Sequence, residues 1–233
     1  MSNLEDLIVG KLYQREDWGA PSTPGGSQRP LTDVTTFTQH HTTGATLGVS
    51  DTVQWVKNIY DWHTGRHPNS HLNWADIGYG YLYDRFGNVF VGRGRYRTLA
   101  HATGYNRTHF GVAFLGTGDK GHVTPAAKIT GRALRHWLRT DGGLTNMRKT
   151  NGHRDIGSTT CPNNYLYQWA VRENMRLEEE DGIVSKYLTE EAEKWLQGFY
   201  EAGQDTSARP TSLWHLLEFF RTQRRFFSER FND

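Results

Sequence analysis

The sequence predicts an α/β domain, a central mixed β-sheet flanked by helices, with a helical segment appended at its C-terminal end. Three observations lead there. Short runs of β-branched and aromatic residues recur as strands, and capped amphipathic stretches between them read as helices. After Asp181-Gly182 the pattern turns wholly helical. The expected division is therefore 1–182 and 183–233.

Residues 1–33 carry little pattern, and Pro21-Ser22-Thr23-Pro24-Gly25-Gly26 reads as an irregular loop. Val34–His41 is rich in β-branched residues and reads as a strand. Alternation along it sends His40 and His41 to opposite faces, so only one of them readily reaches a given metal. Ser50 is the expected N-cap of a helix through Val53, Val56 and Tyr60 that ends near Gly65. His63, His67 and His71, in or beside the polar loop 64–73, read as solvated or substrate-facing.

Tyr79–Tyr83 and Val89–Val91 flank a Gly87-Asn88 turn and suggest a hairpin. Phe110–Leu115 is a short apolar run bounded by glycine, as in a buried strand. Thr124-Pro125 supplies a capping hydroxyl and a proline for the first turn of a helix. Its stripe is Ile129, Ala133, Leu134, Trp137 and Leu138, and Gly142-Gly143 ends it. A last helix is expected from about Tyr165 to Glu180. Beyond it, Trp195, Leu196 and Phe199, then Leu213, Leu216, Leu217, Phe220, Phe227 and Phe231, fall at helical spacing. About 50 residues bury too little surface to fold alone. This segment is expected to dock on the main domain, to pair with a second copy as a homo-oligomer, or to hold a partner.

With 36% hydrophobic and 22% charged residues the chain is globular. A net charge of +2 gives no case for nucleic acid, although it suits an anionic polymer. One cysteine excludes an internal disulfide framework. Residues 1–6 lack the basic and apolar segments of a secretory signal, and no run approaches the ~18 apolar residues of a membrane span. The expectation is synthesis in the cytoplasm without membrane insertion, any substrate beyond the membrane being reached only after release.

Chemistry concentrates in Gly152-His153-Arg154-Asp155-Ile156-Gly157-Ser158-Thr159-Thr160-Cys161-Pro162. It holds the sole cysteine, with a histidine eight positions before it, and Gln39-His40-His41-Thr42 offers a further imidazole far upstream. Two imidazoles and one thiolate leave a zinc ion an unfilled coordination position, the property that separates catalytic from structural zinc. Free cysteine also packs as an inert small hydrophobe, but the setting of Cys161 is polar and turn-like. Arg154 and Asp155 read as a local ion pair fixing this loop.

Gly152-His153-Arg154-Asp155 followed by Thr159-Thr160-Cys161-Pro162 closely resembles the zinc N-acetylmuramoyl-L-alanine amidases of phage endolysins and the related peptidoglycan recognition proteins. Further blocks match in the family's order: Arg15–Ala20, Gln39–Thr42, Trp74–Tyr79, Gly87–Gly94 and Ala100–Asn106. Together they cover roughly residues 12–178.

The resemblance implies the recognition-protein fold and roles residue by residue. His40, His153 and Cys161 would bind Zn2+, with His41 a packing neighbour. Tyr79 falls on the family's active-site tyrosine, and Thr159 on a position that is lysine in some phage members and threonine in recognition proteins with amidase activity. His101 and Asn106 fall in a block of the substrate groove. The implied reaction is cleavage of the amide between N-acetylmuramic acid and L-alanine in bacterial peptidoglycan, by an endolysin that lyses the wall. The alternative is a non-catalytic peptidoglycan-binding module of the same fold, and such members commonly lack the cysteine. The matched blocks contain no glutamate that must serve as general base.

Overall fold

A computed structural model describes residues 3–44 and 49–173. The segment 183–233, the boundary at 182 and the expected self-association all lie outside the described residues.

Six strands form one sheet: β1 (Leu12–Tyr13), β2 (Thr36–His41), β3 (Tyr81–Tyr83), β4 (Val89–Val91), β5 (His109–Phe114) and β6 (Lys149–Gly152). Their spatial order is β1-β4-β3-β5-β2-β6. Only the β3–β4 hairpin is antiparallel; β1–β4, β3–β5, β5–β2 and β2–β6 run parallel. The sheet is therefore mixed, as the sequence predicts.

Period-two alternation divides the core between the two faces. Tyr81, Tyr83, Phe37, Phe110, Val112 and Phe114 pack with Leu134 and Leu138 of helix α2 (Pro125–Arg139) and with Leu166 of the short helix α3 (Asn164–Tyr167). Leu82, Phe90 and Ala113, the residues between, face Val56 and Tyr60 of helix α1 (Val49–His63) and the buried Trp18. A sheet with helices on both faces follows.

Thr124 caps α2 by accepting the Ala127 N–H at 3.2 Å, and Pro125 opens its first turn. Gly65, just beyond α1, takes the left-handed conformation at φ 75° that favours glycine there. Ser50 differs from expectation: the helix already includes Val49, so Ser50 is a helical residue and not the cap. The last helix also differs. Asn163 accepts the Tyr165 N–H to start α3, which passes into a π-helical stretch, Gln168–Glu173.

Two strands have no pattern in the sequence. β1 is two residues long, and β6 is Lys-Thr-Asn-Gly, polar and at the sheet edge. Backbone pairing forms β6, aided by the Thr38 hydroxyl, which donates to Asn151 Oδ1 at 2.8 Å. Its register pairs Gln39 with Gly152, so His40 and His153 leave neighbouring parallel strands at the same level.

Candidate metal centre

The carboxyl ends of parallel strands leave a crevice where ligands commonly bind, and β2 and β6 end together there. His40, on the face opposite Phe37 and Gln39, is 1% exposed. His153 begins a single 3-10 turn, His153–Asp155, directly after β6. Cys161 returns from the following loop, and its backbone carbonyl accepts the Arg154 N–H at 2.7 Å.

One ligand atom from each of His40, His153 and Cys161 lies within 4.8 Å of the other two. Cys161 Sγ is 3.8 Å from His40 Nδ1. Zinc bonds of about 2.3 Å to sulfur and 2.0–2.1 Å to nitrogen, at a tetrahedral angle, put those atoms about 3.5 Å apart. The donor set thus fits zinc, and the Cys161–His40 spacing of 3.8 Å is close to that value. Among the described residues, only these three protein donors belong to the cluster.

Electrostatics prepares the same atoms. Burial, then the neighbouring imidazoles of His101, His153 and His41, holds His40 well below the usual histidine range. Burial likewise lowers His153, with His41 adding to the effect. Neutral imidazoles keep the lone pairs a metal needs. Burial pushes the Cys161 thiol up to about 11, opposed by the His41 backbone N–H and the charge of Arg154. That N–H approaches Sγ at 3.3 Å and is placed to support a thiolate once a cation compensates it.

The loop is held by its own charged residues, though not as an ion pair. Arg154 donates to Asn164 Oδ1 and the Thr160 carbonyl, each at 2.6 Å, and to the Pro162 carbonyl. Asp155 accepts the Gly152 N–H and the Tyr167 hydroxyl, both at 2.8 Å. The two side chains point to different partners and together fasten the turn to the loop.

Tyr79 stands over His40, ring centroids 5.3 Å apart. Burial first, then proximity to Cys161, raises its pKa, so the hydroxyl remains a donor. The loop before it is pinned by a buried ion pair, Arg15–Asp76 at 2.8 Å, while Arg93 donates to the Ile77, Asp76 and Thr98 carbonyls. The matched blocks 15–20, 74–79 and 87–94 thus converge on one tyrosine; no periodicity signals this, because the interactions join side chains to distant carbonyls. His63 is half-buried rather than freely solvated. Its Nδ1 accepts the Gly78 N–H at 3.1 Å, and its ring stacks on Trp74. His67 lies against Trp62, and His71 is exposed.

Thr159 is exposed and borders an open cavity of about 280 Å³ with His41, Arg154, Thr160, Asn163 and Asn164. Its Oγ1 accepts the Cys161 N–H at 3.2 Å, leaving the hydroxyl hydrogen for another acceptor. His41 turns to the other face, where Nδ1 meets the Thr117 carbonyl at 2.6 Å. His101 is 7% exposed and lies behind His40: its Nδ1 is 2.8 Å from His40 Nε2. Asn106 Oδ1 accepts the His101 and Ala102 N–H groups at 2.8 and 2.9 Å.

Residues 30–164, more than half of the chain, match the family model described as N-acetylmuramoyl-L-alanine amidase. The chain belongs to that family. Within it, the chain is similar to peptidoglycan-recognition protein SC2 of Drosophila simulans, with 30% identity over 158 residues that cover 67% of this chain and 82% of the relative. An N-acetylmuramoyl-L-alanine amidase of Mus musculus is 39% identical over 95 residues, which are 40% of this chain but only 18% of the mouse protein. Among solved structures, human PGRP-IBETAC in complex with glycosamyl muramyl pentapeptide is 27% identical with a TM-score of 0.59, over 67% of this chain and 92% of that one. Amidase-family membership and the recognition-protein fold agree with the resemblance carried by the sequence.

Proposed function

We propose that this chain hydrolyses the amide bond between N-acetylmuramic acid and L-alanine in bacterial peptidoglycan, with Zn2+ held by His40, His153 and Cys161. The observation that carries the reading is the intact three-donor cluster, one donor of which is the only cysteine in the chain. The mouse relative is named for this activity, and the human relative was solved with a muramyl peptide.

When bound, zinc supplies Lewis acidity toward a water and an amide carbonyl. The chain's own groups do the rest. His40 and His153, held neutral by burial, present nitrogen lone pairs, and Cys161 releases its proton on binding the cation. Tyr79, kept as a phenol, donates its O–H to the oxygen that gains charge as the carbonyl becomes tetrahedral. Thr159 offers a second hydroxyl from the rim of the cavity. Among the described residues no carboxylate belongs to the cluster.

A binding-only module is the rival reading, since several relatives are named for recognition. The complete donor set favours hydrolysis. The expected endolysin setting draws no support from these animal relatives; what we propose is the bond cleaved. Digestion of purified peptidoglycan tests it. The expected result is new L-alanine amino termini without new reducing sugars, abolished in Cys161→Ser. Adsorption to the wall with no new amino termini would leave only the binding module.

A further inference from the structure

His40 has two ring nitrogens, and only the one turned to Cys161 and His153 can serve a metal. That is Nδ1, 3.8 Å from Cys161 Sγ. The other, Nε2, is 2.8 Å from His101 Nδ1, the two rings meeting edge to face with centroids 4.9 Å apart. His101 Nε2 in turn lies 3.1 Å from the His109 backbone carbonyl.

The far end of this chain of contacts decides its direction. A carbonyl oxygen only accepts, so His101 Nε2 carries a hydrogen. A lone pair then remains on His101 Nδ1 to accept the hydrogen on His40 Nε2. His40 is thereby left with a bare Nδ1, the tautomer that binds a cation. We propose that His101 is a positioning residue, fixing the tautomer and ring orientation of His40 through a two-imidazole relay anchored on the His109 carbonyl. The inference rests on the zinc reading above.

The fold is built around this relay. His101 lies against β5 at Gly111, where a Cβ would come within 2.4 Å of its Cγ and 2.7 Å of its Nδ1. Any larger residue at 111 would expel the ring. Asn106 fixes the backbone of 101 and 102. Arg29, 3% exposed, donates from one nitrogen toward the carbonyls of Asn106, Arg107 and His109 at 3.1–3.3 Å, which holds the anchoring carbonyl in place. A metal-bound histidine usually donates its second N–H to a carboxylate, a carbonyl or water. A neutral imidazole in that place orients the ligand without adding negative charge beside the thiolate.

The test measures zinc affinity of the full chain by chelator competition, alongside binding of a muramyl pentapeptide to the metal-free protein. His101→Phe keeps a ring against Gly111 and removes the acceptor; zinc affinity should fall about 10–100-fold. His101→Asn returns an acceptor oxygen near the Nδ1 position and should recover most of that loss. Unchanged zinc affinity in His101→Phe overturns the proposal, and weakened peptide binding alone would assign His101 to substrate instead. If the variants fail to fold, 15N-resolved imidazole spectra of the zinc-loaded wild type decide. Hydrogen on Nε2 of both His40 and His101 supports the relay, and hydrogen on His101 Nδ1 overturns it. A wild-type chain that takes up no zinc removes the metal reading itself, a failure seen before any variant is made.

Discussion

The donors of the cluster come from two very different regions. His40 projects from β2, an inner strand paired on both sides, is 1% exposed, and has a second imidazole behind it. His153 and Cys161 belong to a short turn and a loop at the end of an edge strand, shaped by Arg154 and Asp155. One region is rigid because the core needs it; the other is rigid because two side chains tie it. Ligands can be equal partners to a cation and still be unequal to the fold.

Removing one donor from each region breaks the comparison most strongly. His40→Ala and Cys161→Ser should both abolish zinc uptake by metal analysis. Denaturant melts of the metal-free proteins should then part them. Loss of the buried imidazole, which leaves His101 without its partner, costs roughly 2–4 kcal/mol, whereas the near-isosteric serine costs under about 1 kcal/mol. Equal destabilisation would mean that the loop is as integral to the core as β2.

Tyr79 belongs to neither region, being held by the Arg15–Asp76 pair. Tyr79→Phe should therefore keep its zinc and lower kcat by about 10²-fold; zinc loss in a metal assay would tie the tyrosine to the donors. Arg154→Ala loosens the loop alone, and chelator competition should give about tenfold weaker zinc binding. An unchanged affinity would show that the loop keeps its shape without the guanidinium.

The smallest effect comes from His63, whose pKa is lowered by burial to about 4 from an ordinary 6.5. The folded state therefore binds fewer protons than the unfolded one between those values. The stability due to the neutral ring is complete above about pH 6.5 and declines as pH falls toward 4, by at most about 1.4 kcal/mol per pH unit. His63→Gln, which keeps an acceptor for the Gly78 N–H, should flatten that decline in denaturant melts run across the window. An equally steep decline would place the titrating group elsewhere.

What could be read in the sequence is what local chemistry writes there. Thr124-Pro125 states a helix start, the β-branched run Val34–His41 a strand, and a lone cysteine in a polar turn with a histidine eight residues earlier a candidate metal loop. What could not be read depends on distant partners. Lys149–Gly152 becomes a strand only because β2 offers it an edge. Asp76 and Arg15 look like surface charges until the fold buries them against one another. His101 is one histidine among eleven until Gly111 opens a place for it behind His40.

The pairing of Gln39 with Gly152 makes the site a matter of parity. Inserting a single residue into the edge strand would turn His153 toward the opposite side, whereas inserting two would restore its direction one step farther along. Length changes confined to exposed loops between residues 41 and 148, away from Tyr79, His101 and the paired strands, carry no such penalty, so variation can accumulate there while the spacing of the two imidazoles stays unchanged.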